Sequence, residues 1–375
     1  MYSDSDIKRS WIEVDLDQLE ENYNLCKKKF SSSCKIIAVV KAEAYGHGDI
    51  SICERLLKCG VECFAVSNIN EAISLRKGGI SGKILILGYT PIPDIKYLEK
   101  YDITQTIISD EYAELLIKNK LKSNCQVAID TGMNRIGLDG DDPLKCEALI
   151  RNYCTKLKID GIFTHLCVAD ENNMKSKNFT LCQINKFKDI EEKVSDLKLP
   201  WVHCMNSAGS MFYGDESCAR LGIVLYGLKP DFNNVLPVDI HPILTWKSVI
   251  AMIKQVKKGE CIGYGCTYLA EKNMYVATIA TGYADGYRRE LSNNGYILIR
   301  GHKAPIVGRI CMDQFMVDVT QIVSTEKLSI GEEVILIGRS KNEEILADEM
   351  AHQIGTIGYE IVCGISKRVP RIYER

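Results

Sequence analysis

From about residue 35 to residue 225, short β-branched runs alternate with longer amphipathic stretches, and this rhythm limits the fold more than any other feature of the chain. The strand-like runs are Lys35–Val40, Cys63–Ser67, Lys83–Leu87, Thr104–Ile108, Gln126–Ile129, Lys158–Phe163, Val202–Met205 and Ala219–Ile223. Between them, segments such as Asp49–Cys59, Ile69–Lys77, Asp110–Asn119, Pro143–Lys156 and Asn178–Leu197 repeat apolar residues every three or four positions, as in Ile184, Phe187 and Ile190. Eight strand–helix units in roughly 200 residues predict an α/β fold of the (β/α)8 TIM-barrel type. A doubly wound sheet is the alternative, but it seldom uses eight units so evenly spaced.

Beyond about residue 240 the texture changes. Closely spaced strand-like runs follow at Leu244–Lys254, Tyr275–Ile279, Tyr296–Ile299, Lys303–Ile310, Phe315–Asp318 and Glu333–Ile337. Turn signals separate them, including Lys258-Gly259-Glu260 and Asn293-Asn294-Gly295. One late helix is predicted at Ala347–Ile354. The chain of 375 residues is therefore expected to hold a barrel domain at 1–240 and a mostly β domain at 241–375, with the boundary near Pro237–Pro242.

Composition excludes several function classes. A net charge of −2 gives no electrostatic case for nucleic acid or an anionic membrane surface. No apolar run approaches the roughly 18 residues needed to span a bilayer, and Met1–Asp6 carries no signal-peptide core. A soluble cytoplasmic protein is expected, either whole or as the cytoplasmic domain of a membrane-anchored parent. The sixteen cysteines contain no Cys-x-x-Cys pair, and many, such as Cys167, Cys204 and Cys311, lie in apolar runs. They read mainly as reduced, buried thiols. The six histidines form no ligand cluster, so no metal site is expected.

Barrel active sites collect at the carboxyl ends of the strands. The first strand delivers Lys41 there, followed by Tyr45, Gly46, His47 and Gly48. A half-desolvated lysine can lose its proton and attack a carbonyl; alternatively its stem covers the rim while the ammonium stays wet. Later strands add the loop Asp130–Gly137 with Arg135, then Thr164-His165, Asn206-Ser207-Ala208, and Arg220 with Gly222-Ile223. A serine among small residues followed by glycine amides suits a phosphate cradle. With the strand-end lysine, these groups describe a pyridoxal-phosphate site in which lysine forms the Schiff base.

The same motifs, together with Gly263-Tyr264-Gly265, Thr281–Tyr287, Gly308–Asp313 and Gly355–Glu360, resemble the alanine racemase family of fold-type III pyridoxal-phosphate enzymes over essentially the whole length. The resemblance implies a barrel plus a β domain, with a first strand near residues 10–16 returning to the β domain. It implies interconversion of L- and D-alanine by two bases, supplying D-alanine for cell-wall peptidoglycan. Lys41 would carry the cofactor and act on one face of Cα. Tyr264 of a partner subunit would act on the other, so a homodimer with shared active sites is implied. Tyr45, Ser207, Gly222, Ile223 and Tyr359 would contact the phosphate. His165, bonded to Arg220, would flank Tyr264, and Arg220 would face the pyridine nitrogen and leave it unprotonated. Arg135 and the Met312 amide would hold the substrate carboxylate, and Tyr283 would narrow the entrance.

Two features bear on the details. Many family members carry a lysine, often carbamylated, seven residues before the loop arginine; here Ala128 occupies that place. Tyr359 favours alanine, since serine-preferring relatives of vancomycin-resistance systems can differ there. A serine or dual racemase is the main alternative. A non-catalytic pyridoxal-phosphate carrier lacks the second domain, and a decarboxylase suits Arg220 less well.

Overall fold

Main-chain pairing in the computed structural model, which describes residues 9–214 and 217–374, sorts the strands into two separate large sheets. Residues Met1–Lys8, which include the segment read for a signal peptide, lie outside the described residues. The strands are β1 (Ser10–Asp15), β2 (Lys35–Val39), β3 (Cys63–Val66), β4 (Lys83–Ile86), β5 (Thr104–Ile107), β6 (Asn124–Asp130), β7 (Leu138–Asp139), β8 (Lys158–Phe163), β9 (Trp201–His203) and β10 (Cys218–Leu221). Beyond them come β11 (Leu244–Val256), β12 (Cys261–Ile262), β13 (Tyr268–Leu269), β14 (Met274–Ile279), β15 (Tyr296–Ile299), β16 (His302–Pro305), β17 (Phe315–Asp318), β18 (Glu333–Ser340), β19 (Glu343–Ile345) and β20 (Arg371–Glu374).

One compact unit comprises residues 20–225 and 229–240. Its parallel strands run in the order β10-β2-β3-β4-β5-β6-β8-β9. A bridge between Met205 and Ala219, with the Arg220 amide donating to the Met205 carbonyl at 3.0 Å, joins the last strand to the first and makes the barrel nearly closed. Ile37, Leu85, Ile107, Val127 and Ile162 are fully buried, as β-branched and aliphatic residues should be where both faces of a parallel strand are covered. Helices begin where a side chain can satisfy orphan amides. Asn68, Ser109, Asp142, Asn173 and Asn206 each accept from a main-chain N–H in the first turn. The Asn173 cap explains why the long helix starts at Met174 rather than Asn178.

Of the described residues, the other unit comprises 9–19, 226–228 and 241–374. Its main sheet has the order β16-β15-β18-β11-β1-β20, with β14 and β17 continuing from β11. β1 is antiparallel to β11, pairing Ile12 with Trp246, and parallel to β20, pairing Ile12 with Arg371. Trp11, Trp246, Tyr287 and Phe315 fill the core; the Tyr287 ring stacks on Phe315 at 4.8 Å and meets Trp246 edge-on at 5.6 Å. The strand expected at Lys303–Ile310 stops at Pro305, because Gly308 adopts a positive φ of 82° that turns the chain into a loop. A helix at Gly358–Cys363 was not foreshadowed by periodicity, being only six residues long.

All sixteen cysteines are free thiols. Cys204 is buried, but Cys167 and Cys311 are only partly covered, and Cys182, Cys261, Cys266 and Cys363 are exposed. The expectation of buried thiols therefore fails for the last four. Among the described residues no cluster of His, Cys, Asp or Glu is suited to a metal, and no helix is long and apolar enough to cross a membrane.

Candidate active site

Lys41 stands at the end of β2, where the chain enters an unusual turn. Ala42, Glu43, Ala44 and Tyr45 all have φ between 51° and 56°, a left-handed coil made without glycine. Such residues each cost roughly 1–2 kcal/mol, so surrounding bonds must hold them. Ala44 N–H donates to the Val40 carbonyl at 2.9 Å, and Gly48 N–H to Glu43 at 2.8 Å. The Glu71 carboxylate adds a clamp: it accepts from the Ala42 amide at 3.0 Å and from the Ser67 amide at 2.7 Å, tying the ends of β2 and β3 together. Glu71 is the third residue of a helix capped by Asn68, the position from which a glutamate ordinarily reaches back to the cap residue. Its diversion to the Lys41 turn identifies it as a positioning residue. Glu71→Ala should lower turnover roughly tenfold with little change in KM, since about 1–2 kcal/mol of amide–carboxylate bonding is lost. Wild-type turnover and stability in that variant would remove the role assigned to Glu71.

Arg220 is buried at 2% exposure and, among the described residues, makes no bond to a carboxylate. Nη1 donates to His203 Nδ1 at 2.6 Å and to the His203 carbonyl at 3.1 Å; Nη2 donates to the Thr164 carbonyl at 2.7 Å and lies 3.4 Å from His165 Nδ1. Burial draws the guanidinium pKa down to about 10, which still leaves it cationic at neutral pH. Because His203 Nδ1 accepts, its Nε2 carries the hydrogen and donates to Gln126 Oε1 at 2.9 Å. Desolvation, reinforced by Arg220, pushes both His165 and His203 well below the ordinary imidazole range. Arg135 and Lys41 act on His165 in the same direction.

A pH effect on stability follows from fully buried His203. Its folded pKa is depressed, so its contribution is present above the unfolded value near 6.5 and is lost as pH falls below it. Urea midpoints measured between about pH 6.5 and pH 5 should fall with a slope near 1.4 kcal/mol per unit from this residue. His203→Gln should flatten that slope; an unchanged slope would assign the effect elsewhere.

Ser207, Gly222, Ile223 and Tyr45 converge. The Gly222 amide donates to Ser207 Oγ at 2.9 Å, and a Cβ placed on Gly222 would sit 2.7 Å from the Tyr45 hydroxyl. Only glycine leaves this spot open. Lys41, Ala128, Asp130, Arg135, Thr164 and His165 line an adjacent cleft. Asp130 shapes the Arg135 loop by accepting from the Gly132 and Asn134 amides at 2.9 and 3.0 Å. Gly137, at φ 125°, passes so close to β6 that a Cβ would lie 2.5 Å from the Asp130 nitrogen. Arg135 is exposed and, among the described residues, makes no hydrogen bond or ion pair with another side chain. Ala128 offers it nothing but a methyl group.

Tyr264, Tyr283, Met312 and Tyr359 belong to the β unit. The Tyr283 amide donates to the Cys311 carbonyl at 3.0 Å, and a Cβ on Gly282 would lie 2.4 Å from the Met312 carbonyl, so these two loops are tightly fitted. A Cβ on Gly263 would lie 3.1 Å from the Arg309 amide, which brings the Tyr264 turn against the same segment. Tyr264, Met312 and Tyr283 are 70%, 54% and 42% exposed, large apolar side chains left uncovered on these fitted loops.

Residues 14–230 match the family model for the alanine racemase N-terminal domain, and residues 243–373 that for the alanine racemase C-terminal domain. The chain belongs to the alanine racemase family. Among curated relatives, the alanine racemase of Halothermothrix orenii is 40% identical over 375 residues, covering 97% of each chain. The solved structure of alanine racemase from Clostridium difficile 630 superposes with a TM-score of 0.91 at 36% identity, covering 98% of this chain and 96% of that one. The structure of the Bacillus anthracis alanine racemase with bound L-Ala-P gives a TM-score of 0.89 at 35% identity, with 98% and 96% covered.

Alanine racemases use pyridoxal phosphate, and the donor set here fits such a group. The cradle around Gly222 is open and lined by hydroxyl and amide groups, while Lys41, Arg135 and Arg220 supply positive charge toward an anionic ligand. Sequence reading missed Glu71, His203 and Gln126. The Asn68-x-x-Glu71 spacing was a usable signal for the first. The other two are polar residues inside barrel strands, and nothing local distinguishes them.

Proposed function

We propose that the protein interconverts L- and D-alanine with pyridoxal phosphate held by Lys41, the active site being completed by Tyr264 of a second copy. The observation that carries this reading is the buried Arg220 lying against neutral His165, behind the cleft that Lys41 lines. When bound, pyridoxal phosphate supplies the electron sink that acidifies the substrate Cα–H. Ser207, Gly222, Ile223 and Tyr45 would hold its phosphate. Arg220, which stays cationic, would be the donor available to the ring nitrogen and would keep a proton off it. The sink is then weak, which favours return of the proton over longer-lived side chemistry.

Lys41 Nζ removes or returns the Cα proton on one face. The Tyr264 hydroxyl does so on the other, and neutral His165, whose Nδ1 accepts from Arg220, donates from Nε2 to the tyrosine oxygen. Arg135 and the Met312 amide orient the substrate carboxylate, and Tyr283 narrows the approach. The exposed Tyr264, Tyr283 and Met312 face supports a homodimer in which each copy lends these groups to the other. Such an enzyme supplies D-alanine for peptidoglycan.

Circular dichroism of the purified, cofactor-loaded protein with L-alanine and with L-serine tests the reading. Alanine should turn over at least about tenfold faster, roughly 1.4 kcal/mol of discrimination. Faster racemisation of serine would replace the alanine reading with the serine one, and binding of cofactor without turnover of either would leave a carrier.

A further inference from the structure

One buried carboxylate ties together the two loops of the β unit that carry Tyr283 and Met312. Asp285 ends the short turn that begins at Gly282, and it is wholly buried. Its Oδ2 accepts from the Gly282 amide at 2.8 Å, which closes the turn around Tyr283. Arg9, just before β1, donates to both carboxylate oxygens, at 2.9 and 3.1 Å. Arg368, shortly before β20, meets the same Oδ1 through Nε at 2.8 Å. Both guanidinium groups also reach the second loop. Arg9 donates to the Asp313 carbonyl at 2.7 Å, and Arg368 to the Asp313 carboxylate at 2.6 Å. Arg9 is itself fixed from behind: the Ser248 hydroxyl donates to its carbonyl, and Thr281, next to Gly282, donates to Ser248.

The main chain shows what this clamp holds in place. The Tyr283 and Ala284 amides are spent on the carbonyls of Cys311 and Met312, each at 3.0 Å. The Met312 amide, by contrast, donates to no group among the described residues. It is an open donor on a backbone fastened at its own carbonyl by Ala284 and at the next one by Arg9. Side-chain packing does not explain that fastening, since Tyr283 and Met312 are both largely uncovered. Nor is a carboxylate buried between cations strong evidence for stability, because desolvation offsets much of the attraction. What the ionic arrangement adds is direction. A forked arginine–carboxylate pair fixes distance and angle together.

We infer that Asp285, acting through Arg9 and Arg368, is a positioning residue that sets where the Met312 amide meets the substrate carboxylate. The inference rests on the role proposed above for that amide. A loop released from the clamp binds the carboxylate less well before and during reaction alike, so KM rises while kcat is largely kept. Asp285→Asn would leave two guanidinium groups against a neutral amide, which puts folding at risk. Arg368 has a side chain 42% exposed and is the safer target.

The test compares wild type, Arg368→Gln and Arg368→Lys as cofactor-loaded proteins. It measures kcat and KM for both alanine enantiomers, and inhibition by acetate as a bare carboxylate probe. Arg368→Gln should raise KM and the acetate inhibition constant together by about tenfold, with kcat within about threefold of wild type. Arg368→Lys, which keeps the charge, should recover part of that loss. A lower unfolding temperature with unchanged KM and acetate inhibition would make the clamp purely structural and overturn the inference. Met312→Pro deletes the amide hydrogen and separates the two ways of failing. If it raises KM where Arg368→Gln does not, the clamp is overturned and the amide keeps its role. If neither variant moves KM, the amide leaves the substrate site and the inference falls with it.

Discussion

Lys41→Ala is expected to lower alanine racemisation by at least about 10,000-fold, since in the proposed mechanism one side chain provides both the attachment of the cofactor and the proton transfer on one face. The structure makes the change a clean one. Lys41 precedes the left-handed coil rather than sitting within it, so alanine introduces no new φ conflict. The bonds that hold the coil run through main-chain groups and the Glu71 carboxylate, and they survive the loss of the lysine side chain. Thermal unfolding should therefore shift little, while the absorbance band of lysine-bound pyridoxal phosphate disappears. Retention of that band, or of turnover within about tenfold of wild type, would move the attachment point away from Lys41.

Tyr264→Phe should lower racemisation by about 100- to 10,000-fold, the range that a positioned acid–base group contributes. Phenylalanine keeps the ring of a residue that is 70% exposed, so the fold of the hairpin is not at stake. The informative readout is hydrogen exchange in heavy water. With Lys41 intact, one enantiomer of alanine should still exchange its Cα hydrogen without inverting, whereas the other should do neither. Equal loss for both enantiomers would mean that a single group serves both faces. Mixing inactive Tyr264→Phe with inactive Lys41→Ala adds a check on the shared site. Recombined dimers should recover part of the activity if one copy completes the site of the other, and mixtures of independent monomers should recover none.

Much of the barrel was legible because its strands obey a simple rule. Lys158–Phe163 was read to the residue, and Lys35, Cys63, Lys83 and Thr104 were each read as the first residue of a strand, since a buried parallel strand is an apolar run between polar ends. The left-handed coil was not legible. Lys41-Ala42-Glu43-Ala44 has good right-handed helix formers, and their preference is overridden by bonds to Val40, to Glu71 and within the coil that no local reading supplies. Arg220 could be picked out by position, but its partners His203 and Gln126 could not, because polar residues pointing into a barrel follow the same spacing as apolar ones. Tyr264 and Met312 were beyond local reading altogether. A tyrosine between two glycines is most often a turn residue and a methionine in an apolar run most often core, and only resemblance to a family singled them out. The exposure of both gives that assignment a physical basis.

The pairing of β1 with β11 and β20 has a consequence for biosynthesis. A ribosome releases β1 more than 200 residues before the first of these neighbours exists, and the second is more than 100 residues later still. The nascent barrel has its own hydrogen-bond partners and can consolidate while synthesis continues, but Ile12 and Val14 must stay unpaired on both edges throughout. The sheet of the second unit is thus sealed only once β20 has emerged, a parallel strand that lies against the earliest described one. A ribosome stalled before Arg371 would hold a β sheet with an open, sticky edge at β1, the kind of nascent species that chaperones shield.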